Sequence, residues 1–127
     1  MQSQKEEALK RLERLYKNLD TGMTRNKYLD MCEQLNQEPS DLEIPPDWED
    51  FPNVVQEAIN TFNQMGDRVF SEIGYTGKDY TNLNHFIDIY GVEDKEFFLE
   101  ILSWLDSRAI KKSSEQLKRD YEKLKRK

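Results

Sequence analysis

The sequence predicts an all-α protein: a compact bundle of about five helices, an extended Pro-rich acidic segment and a long basic C-terminal helix. Three observations carry this expectation. Apolar residues recur at three- and four-residue spacing in five stretches, strand-like alternation is nowhere sustained, and all four prolines fall between residues 39 and 52. The last makes one segment unlike the rest, because proline fixes φ and removes a backbone donor.

The first stretch covers residues 3–20, where Leu9, Leu12, Leu15, Tyr16 and Leu19 fall on one narrow stripe. Gly22 is a natural stop, since glycine tolerates the left-handed conformation that closes a helix. Thr24 can cap a second helix whose apolar face is Tyr28, Met31, Cys32 and Leu35. That helix must end before Pro39. Met23 is also a candidate internal start, which would make residues 1–22 an extension of an otherwise complete domain.

Residues 38–52 hold six acids, no bases and the four prolines. Leu42, Ile44, Trp48 and Phe51 are too apolar for a free linker, so we expect an extended strap pinned by these side chains. Asp50 and Pro52 then start a third helix with Val54, Val55, Ala58, Ile59, Phe62 and Met65 on its face, ended by Gly66. Residues 67–78 read as a loop. Asp79 or Thr81 caps a fourth helix bearing Leu83, Phe86, Ile87 and Tyr90, closed by Gly91. Asp94 caps the last. Phe97, Phe98, Ile101, Leu102, Trp104 and Leu105 make its first half the most buried part of the chain. Beyond Arg108 only Leu117, Tyr121 and Leu124 continue the pattern. Ser113 with Gln116 resembles a capping box, so a break there and a continuous helix both remain open. The domain reading is an N-terminal amphipathic helix (1–22), a helical core (23–110) with its acidic strap (38–52), and a basic tail (111–127).

The formal charge of −6 is unevenly spread: residues 1–20 sum to +1, 21–107 to −13 and 108–127 to +6. An acidic body with a basic tail can attract a charged partner or pair with itself. Fourteen aromatics argue against general disorder. No apolar run approaches the roughly 20 residues of a membrane span. The first residues lack the apolar stretch of a secretory leader. The single Cys32 forms no intrachain disulfide and suits a reducing cytosol. The expectation is therefore a cytoplasmic protein with no membrane association.

No motif points to catalysis or to a cofactor. Gly74-Tyr75-Thr76-Gly77-Lys78 superficially suggests a phosphate loop, but Glu72 stands where the first glycine belongs and Asp79 where Ser or Thr should bind Mg²⁺. The only histidine, His85, and Cys32 lack the spacing of a zinc site. The acids of residues 38–50 lack the central glycine of a calcium loop. The basic tail lacks the aromatic interleaving of a single-strand binder, apart from Tyr121, and the acidic body repels nucleic acid. A protein partner is expected instead, with homo-oligomers through the terminal helices as a further outcome. The candidate contacts are Asp47, Trp48, Glu49, Asp50 and Phe51 in the strap, and Lys118, Arg119 and Tyr121 in the tail. Acids flanking aromatics offer apolar contact while their charge selects the partner.

Two stretches carry a family resemblance. Pro45-Pro46-Asp47-Trp48-Glu49-Asp50-Phe51-Pro52, with Gln56 and Ala58, is similar to small proteins of tailed bacteriophages. So is Met23-Thr24-Arg25 through Tyr28, Met31, Cys32, Glu33 and Leu35. Gly77-Lys78-Asp79-Tyr80 with Leu83, then Gly91-Val92, resembles the Gly-x-Asp-aromatic turn and Gly-Val helix end of phage tail assembly chaperones. The resemblance spans roughly residues 23–110 and leaves the two ends without a counterpart. It implies a helical, non-enzymatic protein that binds an unassembled tail tube or tape measure subunit in the host cytoplasm. Other classes in view are a phage-encoded acidic inhibitor of a host enzyme or nucleic-acid-binding protein, and a structural virion component.

Overall fold

The computed structural model describes residues 2–40 and 43–126. Met1, Asp41, Leu42 and Lys127 lie outside the described residues, and with them Leu42 as one of the side chains expected to pin the strap. The chain separates into two compact units, residues 1–52 and 53–127.

In the first unit, helix α1 (Gln2–Thr21) runs to Gly22, whose φ is +73°. Of its leucine stripe, Leu12 is fully buried, while Leu19 is 60% exposed. Helix α2 (Arg25–Gln34) starts as expected: the Thr24 hydroxyl accepts from the Lys27 N–H. Tyr28 and Cys32, four residues apart, are buried, but Met31 and Leu35 face solvent. The Tyr28 hydroxyl donates to Glu43 and accepts from the Ser40 N–H, each at 3.2 Å, tying α2 to the strap. In the strap the Ser40 carbonyl accepts from the Glu43 and Ile44 N–H groups, each at 2.9 Å, and Trp48–Asp50 form a 3₁₀ turn. Among its described residues, Pro45, Pro46 and Phe51 are buried. Asp50 does not start the next helix. Its carboxylate accepts from the Asp47 N–H at 2.9 Å and from Arg25, stabilising the 3₁₀ turn.

In the second unit, α3 (Asn53–Gln64) begins directly after Pro52. It buries Val55, Ala58, Ile59 and Thr61, the Thr61 hydroxyl donating to the Glu57 carbonyl at 2.8 Å. Residues 67–78 are not a loop. They form an antiparallel hairpin of β1 (Asp67–Phe70) and β2 (Gly74–Lys78), so the fold is mainly helical rather than purely all-α. Neither Asp79 nor Thr81 caps α4 (Leu83–Tyr90). Asp79 instead accepts from the Thr81 N–H at 3.0 Å, a local turn that competes with capping, and the helix begins after Asn82. Gly91, at φ +59°, closes it.

Helix α5 (Lys95–Lys125) is continuous through Ser113, which settles the alternative left open by the capping-box pattern. Asp94 caps it, accepting from the Phe97 N–H at 3.1 Å. α3 packs on α5 and α4, and β2 lies along α5. The core of the unit is the first part of α5: Phe98 and Ile101 are fully buried, and Phe97, Leu102 and Leu105 nearly so. Among the described residues of α5, none beyond Leu105 is buried.

Candidate partner-binding surfaces

The hairpin is fixed to α5 by one carboxylate. Asp106 accepts from the Tyr75 hydroxyl at 2.6 Å, the Tyr80 hydroxyl at 2.8 Å and the Lys78 N–H at 3.1 Å. Gly77 makes the last contact possible. Its φ is +127°, and a Cβ there would stand 3.1 Å from an Asp106 oxygen. Burial, reinforced by the hydrogen bond to Asp106, pushes the Tyr75 phenol far above its ordinary pKa, and the same causes raise Tyr80. On the opposite edge, the Lys78 ammonium pairs with Asp67 at 2.6 Å, donates to the Met65 carbonyl at 3.2 Å and sits 4.6 Å above the Phe62 ring. Lys78 is thus a structural cation of the hairpin, which accounts for it without a phosphate ligand.

Held this way, the hairpin presents apolar side chains to solvent: Val69 is 65% exposed, Phe70 50% and Ile73 66%. A three-residue turn, Ser71-Glu72-Ile73, joins Phe70 to its cross-strand partner Gly74. Gly74 abuts Leu117, since a Cβ there would lie 2.7 Å from Leu117 Cδ1. The Tyr75 N–H donates to Ser113 Oγ at 3.4 Å. The hairpin tip therefore lies beside residues 113–117 of α5. One and two turns further on, Tyr121 and Leu124 are 66% and 69% exposed. Leu117, Tyr121 and Leu124 share one stripe by their four- and three-residue spacing. Lys118 and Lys125 flank it on one side and Asp120 on the other, while Arg119 falls on the opposite face of the helix. Of the sequence-derived candidates, Lys118 and Tyr121 thus belong to a larger apolar surface with a basic rim along one side, and Arg119 does not. Arg119 also donates to Gln116 at 2.7 Å, and Lys125 sits 5.7 Å from the Tyr121 ring.

The strap candidates fare differently. Phe51 is 4% exposed and so is a buried side chain. Trp48, at 38%, is the accessible aromatic. Glu49 is exposed, whereas Asp47 and Asp50 both pair with Arg25. The Asp47 N–H, with help from Arg25 and Arg11, holds the Asp50 carboxyl below the usual range. Sequence reasoning missed the hairpin residues Val69, Phe70 and Ile73 because it placed them in a loop.

Cys32 is buried in the first unit and His85 is exposed on α4. Among the described residues, no group of three His, Cys, Asp or Glu side chains is arranged to hold a metal ion, and no helix is long and apolar enough to cross a membrane. Comparison with protein-family models, with curated proteins and with solved structures finds no match to this chain.

Proposed function

We propose that the chain is a non-enzymatic protein-binding protein, a tail assembly chaperone of the kind its motifs resemble, acting on an unassembled subunit in the host cytoplasm. The observation that supports this reading is the apolar surface of Phe70, Ile73, Leu117, Tyr121 and Leu124, left open to solvent beside a basic rim. Scattered single apolar residues are ordinary, but neighbouring exposed ones rimmed by polar groups are characteristic of an interaction site. The basic rim selects a partner whose contact strip is apolar with acidic flanks. A helical arm that adds little burial to its own unit gains its stabilisation on docking, which suits capture of an incompletely assembled protein.

Pairing between copies of this chain is the second reading, and the charge split favours it: residues 21–107 sum to −13 and residues 108–127 to +6. One experiment separates the two. Tagged wild-type chain and a Tyr121→Asp, Leu124→Asp double variant are purified from the native cell. The chaperone reading expects one foreign protein in near-stoichiometric yield with the wild type and its loss with the variant. Recovery in equal yield with both, or recovery of further copies of this chain alone, refutes it.

A further inference from the structure

The first unit contains a recess of about 330 Å³ lined by Arg11, Arg14, Arg25, Ile44, Pro46 and Asp50. Arg11 and Arg14 lie three residues apart on α1, so their side chains share a face. Arg25 opens α2. Its guanidinium is fixed by the Pro45 carbonyl at 3.1 Å, by Asp47 at 3.3 Å and by Asp50. Arg14 donates to the Ile44 carbonyl at 2.6 Å, a neutral acceptor that leaves its charge uncompensated. Arg11 acts on Asp50 through its charge and makes no hydrogen bond or ion pair with a described residue. Asp50, engaged by Arg25, is thus the carboxylate that lines the recess with three guanidiniums, and Glu7, one turn before Arg11 on α1, adjoins Arg11 in a neighbouring recess. The buried Pro45–Pro46 pair stiffens the wall, so Arg14 and Arg25 are held in position before any ligand arrives.

We propose that this three-arginine recess binds a phosphate monoester group, free or as inorganic phosphate. Guanidinium forks match phosphate oxygens, and a dianion with three free oxygens can meet three of them. The volume lies at the lower end of the roughly 300–1,000 Å³ typical of small-ligand sites. The surroundings disfavour a nucleic-acid backbone: residues 1–52 carry 12 acids against 7 bases, which would repel a long polyanion outside the recess. Asp50 is a built-in competitor for Arg25 and sets the affinity low.

The test titrates inorganic phosphate and phenyl phosphate into the full chain at constant ionic strength, following the arginine side-chain N–H signals by NMR. Sodium chloride and an oligonucleotide without terminal phosphate are the controls. Saturable shifts at Arg11, Arg14 and Arg25 are expected, strengthening as pH rises through the second phosphate ionisation near about 6. Arg11→Gln weakens binding by about tenfold, the equivalent of one charge-assisted hydrogen bond. Asp50→Asn tightens it, an effect that general disruption of the fold would not produce. The proposal is overturned if chloride reproduces the shifts, if the oligonucleotide binds as well as the monoester, or if Arg11→Gln binds as wild type. Should Arg11→Gln prove unfolded by circular dichroism, the Asp50→Asn result decides: unchanged or weaker binding overturns the proposal.

Discussion

Asp106 does the work of several residues. It accepts from two phenols and one backbone N–H, from the second hairpin strand and the turn that follows it, 26 to 31 positions earlier in the chain. Asp106→Ala leaves those donors to water and should cost about 1–3 kcal/mol, with the loss of slow amide exchange confined to residues 67–80. Exchange unchanged in the hairpin would show that strand pairing alone holds it. Alkaline titration reads the same cluster. The phenols of Tyr75 and Tyr80 ionise above the ordinary tyrosine pKa, so their contribution to stability is complete below about pH 10. It is lost as pH rises through their folded values. Phenolate absorbance should therefore show Tyr75 and Tyr80, together with Tyr28, titrating later than the remaining tyrosines, and Tyr75→Phe should remove one of the late ones. Residue burial also sharpens the test of the strap. Phe51→Ala should destabilise the fold by about 3–5 kcal/mol through the cavity it leaves. Trp48→Ala, at a partly exposed site, should cost far less, which thermal melts of the two variants will separate. The aromatic–acidic run was visible in the sequence. Which of its two aromatics turns inward was not, because that depends on a 3₁₀ turn fixed by Arg25, 25 residues away from Asp50.

At the scale of elements, the five helices were legible because a 3.6-residue period repeats over two turns or more. Their ends were legible where a side chain acts locally, as Thr24 and Asp94 do. The hairpin was not. β1 has four residues, all exposed, and β2 has two glycines among five. Neither offers a period-two pattern, and a helical chain gives no reason to seek one. Tyr75-Thr76, two good strand formers between glycines, was the available signal, together with Val69-Phe70. The start of α4 was misjudged for a related reason: Asp79 can serve a turn or a cap, and its bonds to Thr81 select the turn. Helix α5 divides into two functions along its length. Phe98→Ala, in the fully buried part, should cost about 3–5 kcal/mol. Removing residues 120–126, which include no buried side chain, should change stability by less than about 1 kcal/mol. Thermal melts check both, and a large drop in melting temperature on truncation would mean that the arm is part of the core.

For the whole molecule, charge is the property that the sequence states most plainly and that the fold puts in place. The exposed second half of α5 carries the basic residues beside the apolar stripe, while the arginines of α1 and α2 gather in a recess despite the acidic composition around them. Binding through a basic rim should slow with salt: as the screening length falls from about 10 Å to about 3 Å, association should slow by about tenfold or more, with dissociation changing less. A stopped-flow series on the purified complex checks this, and a salt-independent association rate would assign recognition to the apolar stripe alone. The most direct test of the account is a photo-crosslinking amino acid placed in turn at positions 121, 70 and, as an exposed control on α2, 33, with irradiation in the native cell. The account predicts one and the same foreign protein crosslinked from 121 and 70 and none from 33. Crosslinks only to other copies of this chain, or the same protein from all three positions, would contradict it.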